Sequence, residues 1–372
     1  MELKQTIEAC PVPVYRLHGG RPVLEALASS DWQARVVLNP AAVLIEDRAE
    51  LIWLADRWGL PQESREILLA AGGVVVMLYR AQGARSGPWN VAPSSIGLAL
   101  FTPEMEFVWR HPQPVIAPGA WFDRLGVEDP RCTRVGDLFY LFYTGFTARR
   151  KGSLEAVGEV RILWATTRDF LIWDVKGPLK GDLNRVPNKN AALFPEPVDG
   201  RWYLLHRPMR GPDAMSIHLA SAERPEGPWR SEGVLMRSYH YAAFASSWVG
   251  AGGPPIALGN GRFLMIYHIG HYVTPDRRRR EYHLGAALLD LRAAPAERVR
   301  ARIEPLLRPE GEGEQVGDPE LGVDNVVFSC ANYVWRGQLI IPYAGADSRI
   351  FAASVPLEAL VHALEARARG AL

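Results

Sequence analysis

The chain has 372 residues, of which 48% are hydrophobic and 22% charged, and its formal net charge is +1. That length suits two ordinary domains or one large repetitive architecture, and the composition is that of a soluble globular protein. With neither half strongly basic, a nucleic-acid partner held by phosphate neutralisation is not expected.

The N-terminus, "MELKQTIEACPVPVYRLHGG", lacks the apolar centre of a signal peptide, and no later run approaches transmembrane length. A cytoplasmic protein without a membrane partner is therefore expected. Cys10, Cys132 and Cys330 are odd in number and widely spaced, which does not suggest a disulfide framework.

In chain order, "LNPAAVLI" and "VVVMLYRA" read as strands on either side of residues 47–71. In that stretch Leu51, Leu54 and Trp58 fall at helical spacing, with Gly72 and Gly73 as a stop. It is expected to be a helical excursion between strands. Next come "EDPRCTRVGDLFYLFYTG", "NKNAALFPEPVDGRWYLLHRP", "GAGGPPIALGNGRFLMIYHIG" and "DNVVFSCANYVWRGQLIIPYAGAD". Each opens on a polar or Pro/Gly motif, passes a turn ("VGD", "VDG", "GNG", "WRG") and ends in an apolar strand. Tyr79, Tyr143, His206, Tyr267 and Tyr343 recur at spacings of 64, 63, 61 and 76 residues, near the ends of these strands. A second pair of strand signals follows most of them, such as "VRILWATTRDFLIW" and "YHLGAALLDL". Five units of about four short strands predict an all-β, five-bladed β-propeller forming a single domain over residues 1–372, with the helical insertion in the first blade. An irregular β-sandwich with accidental similarity is the weaker reading. Residues 356–369 start with Pro, place Leu357, Leu360 and Leu364 on one face and stop at Gly370, which predicts a C-terminal helix packed on the exterior. Either helical segment offers a surface for a homo-oligomer.

In a propeller the first strand of every blade lines the central channel, so residues that open those strands converge. Here they are Asn39, Asp129, Asn190 with Lys189, the "GAGG" of 250–253, and Asn325. Taken singly, each Asn or Asp is best read as a turn cap. As a set beside Arg131 they form a polar pocket suited to hydroxyls or phosphate. Glu128 and Asp129 are adjacent, so on a strand they face opposite sides. Pro130 biases Asp129 towards an extended backbone, and Arg131 is expected to brace Glu128.

The ordered set "GVEDPR", "NKNAALFPE…LLHRP", "GAGGPPI…IYHIG", "YHLGAALLDL" and "NVVFSCANY…YAGAD" resembles glycoside hydrolase family 130, the mannoside phosphorylases and related mannosidases, over nearly the whole chain. The resemblance implies a five-bladed propeller whose sugar site lies at the channel mouth. It also implies phosphate attack on the anomeric carbon of a β-mannoside with inversion, giving mannose 1-phosphate. Phosphate is its own nucleophile, so one carboxyl acid suffices, whereas hydrolysis needs a second to activate water. The family acid corresponds to Asp129, taken to act through the 3-hydroxyl of the sugar.

Arg161, His268 and Tyr282 match phosphate-side positions, with Lys189 near the same mouth, and sugar contacts fall to Asn39, Arg80, Lys189 and Asp347. The ordinary readings are an Arg ending a strand and a His satisfied in the core. The family's phosphorylases carry a lysine just before the "GAG" run, where this chain has Trp248. The hydrolytic branch uses glutamates as acid and base, which makes Glu281 a candidate. The sequence favours phosphorolysis of an oligosaccharide with no cofactor beyond inorganic phosphate as co-substrate. An inverting β-mannosidase is the alternative, and a non-catalytic sugar-binding propeller is the second. "HIGH" has His268 and His271 at HxxH spacing but nothing further to support zinc, so no metal site is expected. "DRRRREYH", residues 276–283, is read as a charged loop that is ordinarily solvated but within reach of an anionic ligand.

Overall fold

The computed structural model describes residues 10–86, 90–151, 155–239 and 246–370. It is mostly β-sheet with few helices, and its strands form five antiparallel units taken in chain order. The first contains Val36–Ile45, Val74–Gln82, Ser94–Phe101 and Phe107–Arg110. The second contains Gly126–Val135, Leu138–Lys151, Glu155–Thr167 and Asp174–Pro178. A single parallel pairing of Ser94 with Gly126 joins these two units into one sheet. The third runs Asn188–Leu193, Trp202–Pro208, Ile217–Ala222 and Arg230–Met236. In the fourth, Ser246–Ala251 and Ile256–Gly259 share the partner Arg262–Tyr272, followed by Arg280–Asp290 and Val299–Leu307. In the fifth, Val327–Phe328 and Tyr333–Trp335 share Gln338–Gly345, followed by Arg349–Pro356. The outermost strand of this last unit is Tyr15–Arg16, from the other end of the chain.

These strands read as continuous apolar runs because both faces of each sheet are covered. Side chains alternate across a strand. Phe139, Leu141 and Tyr143 therefore join a core with Val74, Val76 and Leu78 of the first unit. Tyr140 and Phe142 face the other way, against Ala191, Leu193 and Leu204 of the third. The fourth unit repeats the arrangement. Phe263, Met265 and Tyr267 pack with the third unit, and Leu264 and Ile266 with the fifth. The fifth returns to the first, with Ile340 and Ile350 against Val75, Met77 and Tyr79. Truncating a fully buried ring such as Phe142 to Ala would cost about 3–5 kcal/mol.

The turns between first and second strands follow from local chemistry. Asp199–Gly200, Asn260–Gly261 and Arg336–Gly337 all have positive φ, as two-residue type I′ hairpins require. In the first unit the same connection is made by helices. The expected single excursion is two helices, Arg48–Trp58 and Gln62–Ala71. Gly59, at φ 62°, ends the first, and the Asp47 side chain caps its start by accepting from Glu50 N at 2.8 Å. The register Ile45–Val74 places this insertion at the end of the sheet away from Asn39. The C-terminal helix Leu357–Ala368 buries Leu360 and Leu364 against strand Val299–Leu307 and its neighbours. No helix among the described residues is long and apolar enough to cross a membrane.

Candidate active site

The first strands of the first three units share a defect in register. Pairing slips between Leu38 and Ala41, between Glu128 and Arg131, and between Lys189 and Ala192. Each slip is a β-bulge built on a left-handed residue: Asn39 at φ 49°, Asp129 at φ 51° and Asn190 at φ 57°. Asn325, at the entry to the fifth unit, has φ 57°. Asn and Asp are the side chains that tolerate this conformation best, which explains the residue type at each position. Asp129 is therefore not extended, as Pro130 suggested. The fold imposes a conformation that the following proline opposes, and such strain concentrates at functional positions.

The bulge also overturns the expectation that Glu128 and Asp129 face opposite sides. Both reach Arg80, whose Nη2 donates to Glu128 Oε1 at 2.9 Å and whose Nη1 lies 3.4 Å from Asp129 Oδ1. Asn39 Nδ2 donates to the same Asp129 oxygen at 2.7 Å. Arg131 does not brace Glu128. It is buried and donates to three carbonyls: Gly252 at 2.7 Å, Ala251 at 2.9 Å and Asp129 at 2.9 Å. The glycine run of the fourth unit thus supplies backbone acceptors that tie it to the second.

Burial would raise the Asp129 carboxyl, but Arg80, Lys189 and Arg131, with the Asn39 hydrogen bond, outweigh it and hold the group below the usual carboxylate range. Asp347 behaves oppositely. Burial pushes it up to about 6, against the pull of Arg80 and reinforced by the charge of Asp129. It sits on a hairpin turn in which Ala346 and Asp347 are both left-handed, closed by Ser348 N donating to Gly345 O at 3.0 Å. Ala346 N also donates to Val326 O at 2.9 Å, fixing the turn to the strand entry beside Asn325. A cavity of about 220 Å³ adjoins Arg80 and Glu128, lined further by Gln82, Arg85, Ser94 and Leu321.

A second group lies on the third and fourth units. Lys189 and Arg207 are cross-strand partners. Arg207 is only 4% exposed, its Nε has no hydrogen-bond partner, and it forms no ion pair among the described residues. Burial lowers this guanidinium to about 10. His268 is fully buried, and its Nε2 lies 3.2 Å from both Asn190 Nδ2 and Arg207 Nη1. Both partners are donors, so Nε2 is an acceptor and the ring is neutral. Burial and then the charges of Arg207, Arg131 and Lys189 hold it well below the usual histidine range, consistent with that assignment. Tyr282 stands 6.4 Å from His268 ring to ring, and burial raises its hydroxyl. Trp248 is 6% exposed and packs edge-on against Tyr282 at 5.5 Å, over Gly270.

Two expected residues lie differently. Arg161 pairs with Glu159 at 2.8 Å and stacks on the exposed Trp121 ring at 5.2 Å. Glu281 projects from the opposite face of its strand to Tyr282 and accepts from Arg308 Nη2 at 2.7 Å and Nε at 3.1 Å, close to His283. His268 and His271 also part company, since His271 stacks on His283. Sequence reasoning missed Arg207. The signal that could have found it was its cross-strand position opposite Lys189, inside a run read simply as the end of a strand.

The family model described as beta-1,4-mannooligosaccharide phosphorylase matches residues 67–366. A 1,2-beta-oligomannan phosphorylase from Thermoanaerobacter sp. is 31% identical over 333 residues, covering 89% of this chain and 93% of its own. A beta-1,2-mannobiose phosphorylase from the same organism is 29% identical, covering 91% and 96%. Among solved structures, beta-1,2-mannobiose phosphorylase from Listeria innocua superposes with a TM-score of 0.69 at 20% identity, covering 95% of this chain and 99% of that one.

Proposed function

The chain belongs to glycoside hydrolase family 130, a family of mannoside-acting enzymes, and from that premise we propose that it cleaves β-1,2-linked mannosides by inverting phosphorolysis. The two relatives that name a β-1,2 linkage and cover nearly the whole chain support that choice of substrate. The observation that carries phosphorolysis over hydrolysis is Arg207, a buried guanidinium with no ion-pair partner among the described residues, with Lys189 opposite. Paired cationic donors of this kind are what a phosphate needs, and Glu281, the candidate base for water, is engaged by Arg308. Arg207 is thus added to the phosphate side with Lys189 and Tyr282, and neutral His268 orients it. Arg161 joins that side only if phosphate displaces Glu159.

The proposed fold is a single-domain five-bladed propeller, supported by cores that link each unit to the next and the fifth to the first. In it, Asn39, Arg80 and Asp347 hold the mannosyl ring beside Asp129. A phosphate oxygen attacks the anomeric carbon while the glycosidic C–O bond breaks. The leaving oxygen takes a proton from Asp129 through the sugar 3-hydroxyl, and mannose 1-phosphate forms. In the free protein Asp129 is ionised, which is the wrong state for an acid. Phosphate between Lys189 and Arg207 offsets part of the positive charge that depresses Asp129, so binding it raises the pKa, and the proton of hydrogen phosphate reloads the acid.

Incubating the protein with β-1,2-mannobiose, with and without phosphate, tests this reading. Mannose 1-phosphate formed only with phosphate is expected. Mannose released equally without phosphate would make the protein a hydrolase, and binding without turnover a sugar-binding protein.

A further inference from the structure

Beyond the mannosyl and phosphate sites lies a second cavity, of about 370 Å³, between the fourth and fifth units. Its lining includes Arg278, Arg279, Arg280, Asp318, Asp324 and Asn325. Of the two carboxylates, Asp318 is ion-paired within the protein and Asp324 accepts one backbone hydrogen bond. Asp318 is paired with Arg35 at 2.9 Å and accepts from the backbone of Glu320 and Leu321. Asp324 Oδ1 accepts from Gly317 N at 3.0 Å. The arginines are less committed. Arg278 lies 3.6 Å from the exposed Asp276, whereas Arg279 and Arg280 form no ion pair among the described residues. The cavity is therefore rimmed by cationic donors in excess, beside Asp318, which is paired with Arg35, and Asp324, which is not ion-paired among the described residues.

This cavity adjoins the site at Asn325. Asn325 lines it, and its carbonyl accepts from Tyr282 N at 2.9 Å. The charge of Arg280 is felt by both Tyr282 and Asp347. The loop between Gly317 and Val323 forms one wall and is anchored to the turn bearing Asp347 through Asp318 N to Ser348 Oγ at 2.6 Å and Val323 N to Ala346 O at 3.1 Å. A ligand in the cavity would thus touch the loop that is tied to the turn bearing Asp347.

We propose that this cavity is an outer subsite for an anionic sugar unit, one bearing a carboxylate or a phosphate ester, held by Arg279 and Arg280 with its ring towards Tyr282 and Asp347. The proposal rests on the reading of the chain as mannoside-active and adds a class of substrate to it. Guanidinium groups match the planar, multi-oxygen geometry of both anions. The three adjacent arginines stand at the mouth, where they would also draw an anionic ligand in by long-range attraction.

The test is calorimetric titration of the full-length protein with mannose, mannose 6-phosphate and glucuronate in phosphate-free, low-salt buffer, where substitution of Arg279 and Arg280 separates this cavity from Arg207 and Lys189. Mannose 6-phosphate, glucuronate or both should bind about tenfold more tightly than mannose, the advantage expected of one or two partly exposed charge pairs. The two anionic arms show which acid the arginines prefer. The double variant Arg279→Ala/Arg280→Ala should lose that advantage, and raised salt should erode it in the natural chain. Equal affinity for the neutral and both anionic sugars overturns the proposal, as does an advantage that survives in the double variant. Turnover of neutral β-1,2-mannobiose is measured alongside. Turnover without an anionic preference defeats the subsite alone, and an arginine-dependent preference without turnover defeats the mannoside activity alone.

Discussion

The two halves of the candidate site solve opposite electrostatic problems. On the first and second units, Arg80 and Arg131 stand with Glu128 and Asp129, two cations to two carboxylates, so the charges there are balanced within the protein. On the third and fourth units, Arg207 is buried with a neutral histidine for company and no carboxylate partner among the described residues. Leaving a buried charge uncompensated is costly. A folded chain carries such a group where an anion completes it. The balanced half suits a neutral sugar and the unbalanced half an anion.

The strongest blow to this division should come from the balanced half. Asp129→Asn keeps the shape but removes the acid, and should lower the rate of mannose 1-phosphate formation by about 10²–10⁴-fold in a protein that still folds, with a lowered melting temperature because the ionised carboxyl is favoured in the folded state. Near-normal turnover would remove Asp129 from its role. Next, Arg207→Ala should raise KM for phosphate by roughly 30-fold or more, the scale of losing one buried charged partner, while KM for the mannoside moves far less. In the natural chain phosphate should raise the melting temperature, and in this variant it should not. Parallel loss of affinity for both substrates would merge the two halves into one.

A smaller effect sharpens the geometry of the anionic half. A Cβ on Gly270 would sit 2.3 Å from Cε2 of the Trp248 indole, which leans on Tyr282. Gly270→Ala should therefore destabilise the fold by about 1–3 kcal/mol in denaturant titration. An unchanged midpoint would show that the indole shifts without cost. The smallest effect depends on pH. The Asp347 carboxyl is raised from 3.8 to about 6, so the folded state disfavours its ionisation. That cost is absent below about pH 4, grows as pH rises to 6 and is then constant. Asp347→Asn should raise the melting temperature by about 2–4 °C at pH 7.5 and leave it unchanged at pH 3.5. A gain at both values would show that burial of charge is not the cause.

Much of the repeat was legible because hairpin chemistry is local. The Asp-Gly, Asn-Gly and Arg-Gly turns and the apolar runs between them mark the strands without knowledge of their neighbours. Asn39, Asp129, Asn190 and Asn325 were legible as a set for the same reason. What could not be read was whatever depends on contacts between units. Arg131 resembled a partner for Glu128, yet it serves carbonyls 120 and 121 residues away. The bulges were hidden because Pro130 argues for an extended backbone locally and the sheet overrides it. Glu281 looked available beside Tyr282 until the strand's alternation turned it towards Arg308. Arg207 is marked only by its place opposite Lys189 in the hairpin, and its isolation from carboxylates is a property of the packed state.

The pairing of Tyr15–Arg16 with the outer strand of the last unit also sets a timetable. Arg16 holds Glu314 through Nε at 2.8 Å and Nη2 at 2.9 Å, and Tyr343 donates to the same carboxylate. None of these partners exists until roughly 300 further residues have been made, which at ~5–20 residues per second takes on the order of 15–60 seconds. Through that interval the fifth unit is missing, and the faces of the first and fourth units that it covers stay uncovered. The Tyr15–Arg16 segment therefore stays without its strand partner until the hairpin of the fifth unit has been made.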